Sequence, residues 1–161
     1  MKKLPPEYQK GMEAEERLIT LARSLKKGHT WIGKVRKAGK KHDLAGVDVI
    51  IWVYTITGGK ERVLPVALQV KSSVAGVRRF YRVQARAAST GVIPIVVNTY
   101  RSDEVILQDL VRALSKGLFS KGRAERVSEY LKKVRKIGPD VSRVSHGSTT
   151  LLRTASPHRL F

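Results

Sequence analysis

An uncharged, β-branched run follows a single aspartate near the middle of this chain. Asp48 precedes Val49–Ile56, a segment of valine, isoleucine and aromatic residues that favour strands. Gly58 and Gly59 suit a two-residue turn, and Val63–Val70 repeats the strand pattern. The sequence therefore predicts an apolar β-hairpin with a carboxylate at its open end.

The register of this hairpin follows from its turn. If the two glycines are the turn residues, the numbers of paired residues add up to 117. Asp48 then lies opposite Gln69, and Lys71 lies diagonally on the same face, because residues two apart on a strand share a face. Pro65 indicates an edge or a bulge, and a bulge would shift this register. Without one, three polar groups meet at the open end.

Helix and strand signals flank the hairpin on both sides. The other predicted elements are a helix from Pro6 to about Lys27 with Gly28 as its stop, a weaker strand over 29–37, a loop over 38–46, a helix over 75–90, a strand over 92–98, a helix from Ser102 to Ser115 with Gly117 after it, and a helix from Ser120 to about Lys136. This order predicts an α/β fold, a mixed sheet flanked by helices, in one domain over 1–137. Residues 138–161 read as a basic tail rich in Ser, Thr and Arg.

The first predicted helix carries one charged residue on its apolar face. Spacing of four and three residues defines this face as Gly11, Glu15, Leu18, Ala22 and Leu25. A buried charge without a partner is very costly. We therefore expect Glu15 to point toward the polar end of the hairpin, or alternatively to pair with an arginine at the edge of the core.

The helix after the hairpin shows a similar pattern. Its apolar stripe contains one polar residue, Gln84, among Val77, Phe80, Ala87 and Ala88. Its flank carries a basic ridge of Arg78, Arg79, Arg82 and Arg86. This ridge predicts contacts with the phosphates of a nucleic acid.

The charge balance of the chain points to a polyanionic partner. The chain has 32 Lys and Arg against 13 Asp and Glu, a net charge of +19, which attracts DNA, RNA or an anionic membrane. It has no cysteine, which excludes disulfides and thiolate zinc sites, and its four histidines show no ligand spacing. The start "MKKLPPEYQ" lacks the apolar run of a signal peptide, and no uncharged run reaches the ~20 residues of a membrane span. We expect a cytoplasmic protein that binds nucleic acid rather than membrane.

The polar residues around the hairpin suit a hard metal ion. Mg²⁺ or Mn²⁺ prefers oxygen ligands, which Asp48, Glu15 and the backbone carbonyl of Val70 could supply. Such a metal lowers the pKa of a bound water and stabilises charge on a phosphate. Lys71 could orient that water, and Gln69 would shape the site. In so basic a chain this set predicts hydrolysis of phosphodiester bonds.

The ordered set of a helix with Glu, then G-x-D, a hairpin and Q-x-K resembles the PD-(D/E)XK nuclease superfamily. The stretch "KGMEAEERLITLARSL" is similar to the first helix of archaeal Holliday junction resolvases and carries Glu15. The motif "DLAGVD" matches the metal aspartate at Asp48 with Asp43 as a companion, and "QVK" supplies Gln69 and Lys71. "YRVQA" is similar to the resolvase helix that bears a functional Gln, here Gln84. The resemblance covers roughly residues 10–100.

This resemblance implies a restriction-endonuclease-like αβββαβ core with extra C-terminal helices. It also implies a Mg²⁺- or Mn²⁺-dependent DNA endonuclease of DNA repair or recombination, similar to Holliday junction resolvases. Two symmetric cuts in branched DNA would require a homodimer. The chain departs from resolvases at Gln69, where they usually have Glu; some type IV restriction nucleases also have Gln there. The loss of one negative charge is expected to weaken a second metal.

Other interpretations remain open on the sequence alone. The enzyme could be a restriction-like or DNA-repair nuclease, or the chain could be a non-catalytic nucleic-acid-binding protein on a degenerate nuclease fold. Each residue also has a structural alternative: a strand-end turn for Asp48, a solvated strand end for Lys71, a loop-shaping role for Asp43, a core amide for Gln84, and a solvated face for the arginines. Metal-dependent cleavage would separate an enzyme from a binding protein.

Overall fold

The computed structural model describes residues 5–83, 90–120 and 122–135 of the chain. Within these ranges the elements are α1 (Pro6–Gly28), β1 (Ile32–Lys37), α2 (Lys40–Leu44), β2 (Val49–Thr57), β3 (Lys60–Lys71), α3 (Val74–Val83), β4 (Ile93–Val96), α4 (Asp103–Phe119) and α5 (Arg123–Arg135). The predicted tail over 138–161 lies outside the described residues. None of the described helices combines the length and apolar character needed to cross a membrane.

The four strands form one mixed sheet in the order β1-β2-β3-β4. Strand β2 is antiparallel to both β1 and β3, and β4 pairs with β3 in parallel. A parallel pair needs a long connection across the sheet, and α3 lies in the segment between β3 and β4. The prediction of an α/β fold with a mixed sheet flanked by helices is confirmed.

Helices cover both faces of this sheet. One buried cluster combines Leu18 of α1 and Leu110 of α4 with Ile51 of β2. The cluster on the other face combines Phe80 of α3 and residues of α5 with Ile50 of β2. Because side chains alternate along a strand, the residues that share a face with Ile50 at the open end of the hairpin belong to the side of α3 and α5.

The predicted hairpin register is confirmed. Pairing runs from Val49 with Leu68 to Thr57 with Lys60, so every pair of numbers adds up to 117. The two turn glycines have φ of 60° and 73°, the left-handed conformation of tight hairpin turns.

Pro65 does not introduce the bulge that its position suggested. It pairs with Trp52 in the regular register of the hairpin. The β3–β4 ladder extends only from Leu68 to Lys71, so β4 does not pair with the part of β3 that contains Pro65. A proline without a backbone N–H is tolerated there because one edge of the strand has no ladder to disrupt.

The segment predicted as a loop before Asp48 contains the short helix α2. Its hydrogen bonds to α5 explain why it is helical despite the glycines at both ends. The ring Nε2 of the buried His42 lies 3.2 Å from the carbonyl oxygen of Leu131, and the Tyr130 hydroxyl donates to the carbonyl of Ala45 at 2.5 Å. These partners lie 89 and 85 residues away in the sequence, so no local pattern could have predicted this helix.

The end of α4 also differs from the prediction. Ser102 caps its start as expected, accepting a hydrogen bond from the Val105 amide. The helix then continues through Gly117 to Phe119, and Ser120 ends it instead of starting α5. A Cβ on Gly117 would lie 2.8 Å from a methyl carbon of Val66. This glycine therefore permits close packing of α4 on β3 and does not stop the helix.

The apolar face of α1 is correct except at its start. Leu18 and Ala22 are buried and Leu25 packs against the core, as predicted. Gly11 was predicted to face inward but is exposed, with no atom within 4 Å of a Cβ placed there. Residues 5–13 are all exposed, so the first two turns of α1 are not covered by the rest of the described protein.

Candidate active site

Backbone hydrogen bonds fix Asp48 at the open end of the hairpin. Its amide donates to the Leu68 carbonyl at 2.9 Å, and its carbonyl accepts from the Ala38 amide at 2.8 Å. The Val70 amide donates to the side-chain oxygen Oδ2 at 2.6 Å. The two bonds to β3 involve Leu68 and Val70, the residues on either side of Gln69. Asp48 therefore lies across from Gln69, as expected if the hairpin register is extended by one residue beyond the Val49–Leu68 pair.

Three charged residues act on the Asp48 carboxyl. Its pKa is raised from 3.8 to about 7, chiefly by burial, while the hydrogen bond from Val70 lowers it. The negative charges of Glu15 and Asp43 raise this pKa further, and the positive charge of Lys71 lowers it. The structure thus brings residues from α1, α2 and β3 into electrostatic range of Asp48, which lies directly before β2.

Glu15 lies at this end of the sheet in an ion pair with Lys37. The Lys37 ammonium is 3.0 Å from Glu15 Oε2, and the Glu15 side chain is only 20% exposed. This contact is the largest cause of the raised pKa of Lys37. The alternative prediction of an arginine partner for Glu15 is wrong in residue type, because its partner is Lys37. This ion pair coexists with the electrostatic effect of Glu15 on Asp48.

Lys37 is a residue that the sequence did not single out. It is the last residue of β1 and pairs with Val49, directly after Asp48. The feature of the sequence that could have indicated Lys37 is its position at the end of the predicted strand over 29–37. Predicting that Lys37 lies next to Asp48 also requires the pairing register of β1 with β2. An irregularity between Ile32 and Val35 shifts this register.

Gln69, across from Asp48, has a buried amide oxygen. Its side chain is 9% exposed, and Oε1 accepts no hydrogen bond from the described residues. Gly46 comes close on the loop before Asp48, with φ of 83° and a virtual Cβ 3.2 Å from Gln69 Nε2. Any side chain at Gly46 would press on this amide, so the glycine of the G-x-D motif makes room for Gln69. A buried amide oxygen without a donor is costly to the protein and well suited to a cation.

Lys71 occupies the last position of β3. Its carbonyl accepts a hydrogen bond from the Val97 amide at 2.9 Å, which attaches the segment after β4 to this site. Its ammonium lies 5.8 Å from the centre of the Phe80 ring, within the range of a cation–π contact. Phe80 itself is buried, so it can support the lysine beside the Asp48 carboxyl.

The arginine ridge is only partly described. Arg78, Arg79 and Arg82 are exposed on α3, whereas Phe80 of the same helix is buried. Gln84 and Arg86 lie outside the described residues.

Oxygen donors at this site fit a hard divalent cation. Asp48 and Glu15 would hold the ion through carboxylate oxygens, and the buried Gln69 Oε1 is an oxygen of the neutral kind that such an ion also accepts. Among residues 5–83, 90–120 and 122–135, no group of three or more His, Cys, Asp or Glu side chains could hold a metal ion. The predicted set has only two such residues, because its third ligand is the Val70 carbonyl, so it stays a prediction.

Comparison of the chain with models of protein families, with curated proteins and with solved structures finds no match.

Proposed function

We propose that this protein is a metal-dependent DNA endonuclease with a restriction-endonuclease-like core, similar in role to Holliday junction resolvases. The observation that carries the proposal is the surroundings of Asp48, a poorly solvated carboxyl with Glu15 and Lys71 in electrostatic range. Strongly raised pKa values of this kind are concentrated at functional sites. The order of these residues along the chain and their place on the sheet support the PD-(D/E)XK resemblance.

Each residue of the site has a distinct role in this proposal. Asp48 and Glu15 hold Mg²⁺ or Mn²⁺, and Gln69 contributes an oxygen and shapes the site. The bound metal supplies acidity to water and neutralises charge on the phosphate. Lys71 orients the attacking water and stabilises the negative charge that grows on the phosphate.

Burial explains why Asp48 would favour a divalent cation. A carboxylate with little access to water lacks hydration, so it has a strong preference for a proton or another cation. The Val70 amide fixes one of its oxygens, which leaves the other to contact a ligand. The chain thereby holds a poorly solvated anion in one orientation.

The exposed arginines of α3 would bring DNA to this site. The helix begins at Val74, three residues after Lys71, so its basic face starts beside the catalytic end of β3. A DNA strand whose phosphates contact Arg78 and Arg79 could therefore place a neighbouring phosphate at the site. A homodimer would place two such sites on one branched DNA for paired cuts.

Binding of DNA is expected to weaken steeply with salt. Neutralisation of about six phosphates gives a slope of roughly −5 in a plot of log affinity against log salt concentration. Replacing Arg78, Arg79 and Arg82 together by alanine should reduce this slope by about 3, since each phosphate contact adds close to one unit. The measurement is DNA binding by anisotropy across a salt series.

The matched control for this experiment is replacement of Arg23, Lys26 and Lys27 by alanine. These residues are exposed on α1, and their replacement removes the same charge. An equal loss of slope in both variants would show that the total charge, and not the α3 ridge, binds DNA. A slope near zero for the original protein would show that its charge serves another purpose.

A second function, binding of nucleic acid without cleavage, is favoured by the reduced negative charge of the site. Gln69 takes the place of an acidic residue, and Lys37 already pairs with Glu15. A degenerate nuclease fold that only binds nucleic acid would tolerate both features. Incubation of the purified protein with a four-way junction, a duplex and a single strand, with Mn²⁺ and with a chelator, separates the two functions. Cleavage that the chelator abolishes supports the enzyme, and binding without cleavage supports the alternative.

A further inference from the structure

Tyr100 is the most exposed of the large apolar side chains in the described residues. Tyr100 is 95% exposed, whereas Tyr8, the next most exposed tyrosine, is 68% exposed. Single exposed apolar residues are common on protein surfaces and need no explanation by themselves. What distinguishes Tyr100 is the rigidity and the position of the turn that carries it.

Hydrogen bonds from distant residues hold this turn between β4 and α4. Arg17 of α1 donates to the carbonyl of Asn98 at 2.6 Å and to that of Arg101 at 2.8 Å, so it fixes the backbone on both sides of Tyr100. The Asn98 side chain donates to the Ser72 carbonyl at 2.9 Å and accepts from the Tyr100 amide at 3.0 Å. A partner that contacts Tyr100 would therefore restrict little more than two side-chain torsions.

The same bonds place the turn beside the candidate active site. Ser72 follows Lys71 directly, and the Val97 amide donates to the Lys71 carbonyl. The turn with Tyr100 and the catalytic end of β3 are thus joined at two successive residues. Tyr100 therefore extends from a turn whose backbone is bonded to the strand end that carries Lys71, so DNA held at Lys71 would pass close to this turn.

We propose that Tyr100 is a stacking platform for an unpaired nucleobase of the DNA whose backbone is held at this site. The inference rests on the proposed function in taking DNA as the substrate. It adds a preference for DNA with unpaired nucleotides near the cleaved bond, because bases inside a duplex have both faces covered. A flat aromatic ring on the surface of a strongly basic protein is the arrangement with which proteins bind unpaired bases.

The surroundings of Tyr100 favour a base over a protein partner. Its neighbours in the chain, Thr99, Arg101 and Ser102, are polar, whereas a protein contact of this kind is normally surrounded by further apolar surface. Two exposed carboxylates follow in the chain, Asp103 and Glu104. Asp103 is paired with Arg17 at 2.7 Å, so it repels phosphate less. A nucleotide needs only one ring face for its base, since its phosphate supplies the remaining affinity.

The test measures binding of the full-length protein in a chelating buffer, so that no cleavage occurs. The DNA probes are a fully paired duplex and the same duplex with a 2-aminopurine in a short unpaired segment, whose fluorescence falls when an aromatic ring stacks on it. Tyr100→Ala should weaken binding of the unpaired probe about tenfold, consistent with the loss of one stacked base. Binding of the duplex should change less than about twofold, and the quenching of 2-aminopurine should disappear.

Tyr100→Trp and Tyr8→Ala are the matched controls. The first retains a flat ring and should retain both affinity and quenching, while the second removes an exposed tyrosine from the start of α1 and should change neither. Thermal melting checks that Tyr100→Ala folds, as expected for so exposed a side chain. Equal weakening of both probes, or no weakening of either, overturns the stacking role.

The outcome also separates this inference from the proposed function. If Tyr100→Ala loses affinity only for the unpaired probe, the stacking role is supported even if no metal ever yields cleavage. In that case the chain is a binding protein. Cleavage that requires Asp48, together with an unchanged Tyr100→Ala variant, leaves the nuclease intact and overturns the platform alone. Failure of the original protein to bind either probe overturns both.

Discussion

The Asp48→Asn variant is expected to lose DNA cleavage by roughly 10³-fold or more, because a metal ligand supplies several kcal/mol of stabilisation to the transition state. The same variant is expected to be more stable than the original protein above pH 7. Asparagine retains an oxygen that can accept the hydrogen bond from the Val70 amide, but it carries no charge that burial would penalise. Loss of activity with a gain of stability is typical of a site whose chemistry opposes folding.

The pH dependence of this stability follows from the pKa of Asp48. The unfolded chain loses the Asp48 proton near pH 3.8, while the folded protein retains it to about pH 7. The folded state therefore binds more protons between these values, so the free energy of unfolding falls as pH rises through this window and is level above it. The full shift corresponds to at most about 4 kcal/mol. Asp48→Asn removes this fall, so the two proteins should be equally stable near pH 4 and differ most at pH 8.

Urea unfolding at pH 4, 6 and 8, with and without Mg²⁺, measures these differences. At pH 8, Mg²⁺ should stabilise the original protein much more than Asp48→Asn, because the variant retains only one of the two carboxylates proposed to hold the ion. Asp43→Asn is the matched control, since its exposed side chain lies in the same region before β2; it should keep cleavage within about tenfold. Undiminished cleavage by Asp48→Asn would show that Asp48 is not a catalytic residue.

Gln69→Glu is expected to make the stability of the protein depend strongly on Mg²⁺. Gln69 is buried opposite Asp48, so a carboxylate there would place a second negative charge in a poorly solvated site. Without metal this should destabilise the protein by about 3 kcal/mol at pH 8, as expected for a buried charge without a partner. If the site binds metal, Mg²⁺ should reverse this loss, and cleavage should be retained or rise because Glu and Gln offer an oxygen in nearly the same place.

A degenerate site gives a different result for the same change. The new carboxylate would then meet no metal and repel Asp48 across the hairpin, so Mg²⁺ would not restore stability and cleavage would not appear. Thermal melting during a Mg²⁺ titration, beside a cleavage assay on both proteins, distinguishes the two. Gln69→Leu is the control for shape, since it fills a similar volume but offers no oxygen to a cation. Stability independent of metal and absence of cleavage, in the original protein and in Gln69→Glu alike, would end the nuclease hypothesis.

Local patterns in the sequence were sufficient to predict the hairpin and most of its neighbours. The turn glycines and the β-branched runs set the register that places Asp48 across from Gln69, because a two-residue turn fixes the pairing of strands that contain no bulge. The isolated charge of Glu15 on an apolar stripe predicted a helix that reaches the same end of the sheet. These inferences succeeded because each depends on periodicity within one element or on a short connection between two.

Features that depend on contacts between distant segments were decided only by the tertiary structure. Helix α2 is held by Tyr130 and Leu131 of α5, and Gly117 lies inside α4 because it packs against Val66 of β3. Lys37 meets Glu15 through the pairing of β1 with β2 and the packing of α1, neither of which a local pattern encodes. The sequence alone predicted that Asp48, Gln69 and Lys71 lie at the open end of the hairpin. The burial that shifts the pKa of Asp48 arises only when separate elements pack and exclude water. The same packing brings the Lys37 ammonium to Glu15.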